Sequence, residues 1–253
     1  MNLCNKNIVI TGAAQGLGQA MAINLAQRGV NIALIDLNKD KLETTVSLCH
    51  KMGTKVIAIA ADVSNESQVE NAINNICETL GPLHGLINNA GILKDGLLVK
   101  TSKGKVVGKL SLDQWQSVIN INLTGVFLCG REVASHMIEA ESRGVIINIA
   151  SISRVGNFGQ SNYAAAKAGV VALTTTWAKE LSRHSIRCAA IAPGMIETEM
   201  TTTMKPEAKA KINSGIPLGH MGLPEHIAQT AAFIFENDYI NGRVIEVDGG
   251  LRL

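Results

Sequence analysis

Apolar and polar positions along this chain follow two alternating patterns. Short β-branched runs, "NIVIT" (7–11), "NIALID" (31–36), "KVIAIAAD" (55–62) and "HGLINNA" (84–90), are apolar on both faces, and "GVIINIAS" (144–151), "IRCAAIAP" (186–193) and "GRVIEVDG" (242–249) continue the series. Strands of this kind belong to a parallel sheet covered on both sides. Helical periodicity lies between them, roughly over 16–29, 39–52, 66–80, 111–139, 162–184 and 224–236. The alternation predicts a doubly wound α/β fold with a seven-stranded parallel sheet, right-handed crossovers and helices on both faces.

Two segments break the rhythm. Residues 95–111, "DGLLVKTSKGKVVGKLS", alternate apolar and polar positions around "SKG" and predict a hairpin. Residues 194–223 carry threonines, methionines and "KPEAKAK"; a long irregular segment after a strand suits a lid over a site. With no linker-like or low-complexity tract, residues 1–253 read as one domain.

Composition narrows the function. A net charge of +2 and 3% aromatic residues give no reason to expect a nucleic-acid partner. No apolar run approaches the length of a membrane span. The five cysteines (Cys4, Cys49, Cys77, Cys129, Cys188) are scattered without CxxC spacing, which reads as reduced thiols in a cytoplasmic protein. The histidines lack metal-ligand spacing, so no metal is expected. "MNLCNKNIVI" runs directly into the first strand, and no secretory leader is expected.

The chemistry begins at "TGAAQGLG" (11–18), which follows the first strand and opens a helix. Gly12, Gly16 and Gly18 allow a tight turn and close approach, and the helix N-terminus offers free N–H groups to a pyrophosphate. A glycine trio alone is a weak signal, but this turn in this context predicts a Rossmann fold and a dinucleotide ligand. Asp36, ending the second strand, suits the adenosine ribose hydroxyls and would repel a 2′-phosphate. Neither the turn (Gln15) nor Leu37 and Asn38 supplies a cation, Lys39 being the nearest. NAD(H) is therefore expected over NADP(H), which stays possible. Asp62, beside Val63, suits the adenine amino group or a helix cap. "NNAG" (88–91) places amides and a glycine at the same edge of the sheet, where ligands of open parallel sheets bind.

Tyr163, one of only two tyrosines, stands four residues before Lys167 in "YAAAK". Residues i and i+4 share a helix face. A nearby ammonium favours the phenolate and is expected to lower the tyrosine pKa, and a positively charged nicotinamide would push it further, making the tyrosine an acid/base near neutrality. Ser151 ends the fifth strand twelve residues earlier and can hydrogen-bond the oxygen that the tyrosine protonates; Ser153 is a nearby alternative.

With "NLTGVF" (122–127) and "APGMIETEM" (192–200), these motifs resemble the short-chain dehydrogenase/reductase family from end to end. The resemblance implies Tyr163 as proton donor and acceptor, Ser151 orienting the carbonyl, Lys167 on the nicotinamide ribose, and Asn122 holding a water linked to Lys167. It implies cofactor contacts from Gly12, Gln15, Gly16, Leu17, Gly18, Asp36, Leu37, Asp62, Val63, Asn89, Ala90, Gly91, Tyr163 and Lys167, and from Pro193, Ile196 and Thr198 on the carboxamide. Within the family, "GQSNYAAAKAG" and the final "VDGG" are most similar to the bacterial 3-oxoacyl-(acyl-carrier-protein) reductases. That implies interconversion of 3-oxoacyl and 3-hydroxyacyl thioesters on acyl carrier protein or coenzyme A, in fatty acid metabolism, by a homotetramer. The alternative is an NAD-dependent dehydrogenase of another secondary alcohol, such as a sugar, polyol or steroid. Arg143 and Arg183 are expected near carrier docking positions. The hairpin, longer than the family norm, brings Lys100, Lys103, Lys105 and Lys109 to the site's edge, as a solvated loop, a carrier contact or a subunit contact.

Overall fold

The computed structural model describes residues 1–198, 201 and 204–253. Seven strands form one parallel sheet: β1 (Asn7–Thr11), β2 (Asn31–Asp36), β3 (Val56–Ala60), β4 (Gly85–Asn88), β7 (Gly144–Ile149), β8 (Ile186–Pro193) and β9 (Arg243–Val247). Their order is β3-β2-β1-β4-β7-β8-β9, so the chain reverses its direction of growth beside β1. A crevice opens there at the carboxyl ends, where ligands of such sheets bind. The predicted sheet is confirmed strand by strand.

Side chains alternate across the sheet with period two. Ile8 and Ile10 join one core with Met21 and Leu25 of α1 (Gly16–Ala26) and with Ala231 and Phe235 of a helix over Pro224–Glu236. Val9 faces the opposite core, with Ile73 and Ile76 of α3 (Glu66–Leu80) and Val133 of α5 (Gly125–Glu139). Helix α2 spans Lys39–His50, and Asn38 caps it by accepting from Lys41 N–H.

The predicted helix over 111–139 is interrupted. A capping box between Ser111 and Gln114 starts α4 (Leu112–Ile119), and residues Asn120–Thr124 form a π turn before α5. Such turns insert one extra residue and recur at functional sites. Helix α6 (Ser161–Glu180) follows the 3-10 turn Ile152–Val155. The segment 194–223 is less irregular than expected: α7 (Pro206–Ser214) forms within it, with proline in its first turn, followed by α8 (Pro224–Glu236). Met200, Thr202 and Thr203 of the expected lid lie outside the described residues.

The hairpin is present as β5 (Val99–Ser102) against β6 (Lys105–Lys109). Lys103 and Gly104 form its loop with φ of +47° and +73°. Two consecutive positive φ values define the type I′ turn that matches strand twist.

Candidate active site

The glycine turn after β1 is built from two close approaches. A Cβ at Gly18 would collide with the Gly12 carbonyl oxygen, and one at Gly12 would lie 2.7 Å from Ala90 Cα. Gly16 differs: its φ is +58° and nothing lies within 4 Å of where a Cβ would stand. No side chain caps α1, so its first N–H groups open into this concavity. That is the cradle a pyrophosphate needs. Thr11 locks the turn to the next strand end, its hydroxyl accepting from the N–H groups of Asn89 and Ala90, both at 3.1 Å. Asn89 donates its amide to the carbonyls of Thr11 (3.1 Å) and Gly12 (2.9 Å). Thr11 was not singled out in the sequence; its hydroxyl gives no signal until β1 and β4 are known to be neighbours.

Asp36 is fixed by two amides. Its Oδ2 accepts from Ala14 N–H at 3.0 Å and its Oδ1 from Asn38 N–H at 3.2 Å. A carboxylate is thus held beside the turn, with Leu37 exposed next to it. The cation brought to this region is Lys41, not Lys39: its Nζ donates to Gln15 Oε1 at 3.0 Å. Asp62 follows β3, where its Oδ1 accepts from both the N–H and the hydroxyl of Ser64. It closes a turn and does not cap α3, which Asn65 does.

Ser151, Tyr163 and Lys167 converge at the carboxyl ends of β7 and the start of α6. Ser151 is buried, and its Oγ accepts from Ser153 N–H at 3.1 Å, capping the 3-10 turn. Lys167 is buried, with Nζ 5.6 Å from the Tyr163 ring centroid and donating to Ile149 O at 2.6 Å. Burial lowers the Lys167 pKa to about 8. The Tyr163 pKa is raised: burial pushes it up, a hydrogen bond with Ser151 pulls it down, and the Asp95 charge pushes it up again. The expected lowering by Lys167 is therefore corrected. The phenolate is desolvated, and the lysine's hydrogen bond goes to Ile149. Asp95, which sequence reasoning passed over, is the charge that acts on the tyrosine, and its carboxylate accepts from Gln160 at 3.0 Å, just ahead of α6.

Asn122 sits in the π turn, wholly buried, and clamps Ile92: its Oδ1 accepts from Ile92 N–H at 2.8 Å and its Nδ2 donates to Ile92 O at 3.0 Å. Both ends of the amide are engaged by the Ile92 backbone. A buried amide relay lies behind the site. Asn88 donates to Asn148 (2.9 Å), which donates to Thr174 of α6 (2.9 Å). Asn162 ties α6 to the Lys94 and Gln114 carbonyls at 3.0 and 3.2 Å.

Beyond β8, Gly194 N–H donates to Val247 O and Glu197 N–H to Gly222 O, which fixes the segment of Pro193, Ile196 and Thr198 as it leaves the carboxyl end of the strand. Arg143 and Arg183 precede β7 and β8 and so lie at the amino edge of the sheet, opposite Tyr163. Among the described residues, no group of three or more His, Cys, Asp or Glu side chains is arranged to hold a metal. No described helix is long and apolar enough to cross a membrane.

A doubly wound sheet, a glycine cradle at its switch point and a Ser–Tyr–Lys cluster at the same edge define the class of dinucleotide-dependent oxidoreductases. The chain belongs to the short-chain dehydrogenase/reductase family. The family model described as "Enoyl-(Acyl carrier protein) reductase" matches residues 12–252. The chain is 39% identical over 254 residues to a 3-oxoacyl-(acyl-carrier-protein) reductase FabG of Thermotoga maritima, covering 99% of each. It is equally 39% identical to a (3R)-3-hydroxyacyl-CoA dehydrogenase of Mus musculus, covering 96% of this chain and 95% of that one. Among solved structures, levodione reductase superposes with a TM-score of 0.87 at 33% identity, covering 98% of this chain and 97% of that one. Family membership implies a nicotinamide dinucleotide cofactor.

Proposed function

We propose that this protein interconverts 3-oxoacyl and 3-hydroxyacyl thioesters, with NAD(H) preferred over NADP(H). The observation that carries the reading is the convergence of Ser151, Tyr163 and Lys167 beside the glycine cradle, in a chain whose full-length relatives are named for this chemistry. When bound, the nicotinamide ring supplies or accepts the hydride. The Ser151 hydroxyl donates to the substrate oxygen and holds it against Tyr163. Tyr163 gives that oxygen its proton in reduction and takes it back in oxidation. Two donors polarise the carbonyl without a metal. Lys167 holds the nicotinamide ribose, and Asn122 positions the Gly91–Ile92 backbone along the cofactor. Gly12, Gln15, Gly16, Leu17 and Gly18 hold the pyrophosphate, and Asp36, Leu37, Asp62 and Val63 the adenosine. Asn89, Ala90, Gly91, Pro193, Ile196 and Thr198 frame the nicotinamide half.

The preference for NAD(H) rests on the carboxylate of Asp36, anchored by Ala14 and Asn38 where a 2′-phosphate would come. The carrier is acyl carrier protein or coenzyme A, with the lysine hairpin as a docking element. The protein is read as a single-domain, cytoplasmic homotetramer, supported by its five free cysteines and by the small residues on early α6.

Oxidation of NADH and NADPH is compared with acetoacetyl-CoA as surrogate substrate. Fast turnover with NADH, lowered roughly 100- to 10,000-fold by Tyr163→Phe, is expected. Activity that survives Tyr163→Phe sinks the mechanism. The likeness to levodione reductase favours, as second reading, a dehydrogenase of another secondary alcohol; turnover of such alcohols and of no thioester decides for it.

A further inference from the structure

Ser151 is held from behind by an arginine whose far end is anchored on the last strand. Arg154 meets the Ser151 carbonyl oxygen twice, through its own backbone N–H at 3.2 Å and through Nη1 at 3.1 Å. Its Nη2 forms an ion pair with Glu246 Oε1. The other oxygen of Glu246 lies 3.2 Å from Arg252 Nη1, which contacts Asp248 Oδ2 at 2.5 Å. Arg154 is the least exposed of these guanidinium groups, at 16% of its side chain. A charge-assisted bond at that burial is stronger and better oriented than a surface ion pair.

Its position matters because Glu246 lies opposite Ala192 in the β8–β9 register. One residue further, Pro193 opens the segment assigned to the nicotinamide side. Gly194 leaves that strand with its N–H on Val247 O at 2.9 Å, and a Cβ there would meet Asp248 Cα at 2.6 Å. The same few residues of β9 therefore fix both the serine turn and the far wall of the crevice.

The turn needs outside support. Residues Ile152–Val155 form a single 3-10 turn that ends at Gly156 with φ of +112°, and Val155 is exposed. Such short turns have poor internal hydrogen-bond geometry. We infer that Arg154 is a positioning residue for the reaction, bracing Ser151 against Glu246 so that the hydroxyl keeps its distance to Tyr163 and to the substrate oxygen. The inference rests on the role of Ser151 proposed above.

The test compares Arg154→Met, Arg154→Lys, Glu246→Gln, the double variant Arg154→Met/Glu246→Gln and Ser151→Ala, with acetoacetyl-CoA and NADH. Arg154→Met is expected to lower kcat by roughly 10- to 100-fold with KM little changed, since a displacement of about 1 Å at a reacting group has that effect. Arg154→Lys recovers part of the loss. Glu246→Gln moves kcat the same way, and the double variant is no worse than Arg154→Met alone, because the two residues act through one contact. The pH profile of alcohol oxidation moves upward in Arg154→Met, as in Ser151→Ala, because both remove the Ser151 bond that favours the phenolate. A structural role alone would lower the unfolding temperature and leave that profile in place. Wild-type kcat in Arg154→Met, beside a strongly impaired Ser151→Ala, overturns the brace. A rise in KM at constant kcat also overturns it, since Arg154 would then meet substrate directly. Full activity in Ser151→Ala removes the Ser151 reading itself, and the brace with it. If Arg154→Met does not fold, the lysine and Glu246 variants carry the same comparison.

Discussion

The Lys167 ammonium donates to the carbonyl oxygen of Ile149 at 2.6 Å, which ties the helix-borne lysine to the last residue of β7. This buried cation has a pKa lowered to about 8, whereas an unfolded lysine titrates near about 10.4. Between those values the unfolded chain holds a proton that the folded chain has released, so this group's contribution to stability rises with pH. Wild type is expected to gain stability over Lys167→Met as pH climbs from about 8 to about 10.4, read as the difference between urea unfolding curves of the two proteins. A difference that stays flat or falls contradicts the buried, depressed lysine.

Tyr163 titrates above its ordinary value in the free enzyme, because burial outweighs its bond to Ser151. Alcohol oxidation needs the phenolate, so kcat/KM should keep rising through the alkaline range, with no plateau near neutral pH. Ser151→Ala should move the limb to higher pH. A limb that moves down would mean that Ser151 opposes the phenolate.

The proposed preference for NAD(H) rests on two opposed charges at the glycine turn, Asp36 and Lys41. Asp36→Asn should raise the NADPH/NADH ratio of kcat/KM by about 10- to 100-fold, the scale of relieving one like-charge contact. Lys41→Gln should lower the ratio. Insensitivity to both substitutions would place the selector elsewhere.

The lysine hairpin is anchored next to the tyrosine, Gly96 N–H donating to Gly159 O at 2.8 Å. No acidic residue lies between Gly96 and Leu112. Replacing Lys100, Lys103, Lys105 and Lys109 by Gln should reduce kcat/KM for a thioester on an acidic carrier protein about 3- to 10-fold at low salt, an effect that salt screens. A small thioester lacking phosphates should be unaffected. Equal losses on both substrates would assign the hairpin a structural role.

Much of this architecture can be read from the chain, because strands buried on both faces must be continuously apolar and glycines in the phosphate turn have no substitute. "IRCAAIAP" maps onto β8 without a residue's error, and "SKG" onto the hairpin turn. Polar pairs between distant elements were not legible. Thr11 with Asn89, Asn148 with Thr174 and Arg154 with Glu246 join residues 26 to 92 positions apart, and each meeting is decided by how strands, helices and turns stack in the finished fold. The π turn was hidden for another reason: one extra residue in a helix leaves the apolar periodicity of 111–139 nearly intact. The tyrosine's pKa went the other way from the simple lysine argument because desolvation is a property of the closed fold and has no signature in an i, i+4 spacing.

The two-stranded ribbon projects with nearly all of its residues exposed, Val99, Val106 and Val107 among them. Its outer edges carry unpaired backbone groups of the sort that recruit further strands. Lys100, Lys105 and Lys109 are spaced along those edges, and their mutual repulsion opposes a second ribbon docking alongside. The lysines therefore oppose edge-to-edge association of the ribbon, and a ribbon neutralised to glutamine should shorten the time the protein stays in solution at high concentration.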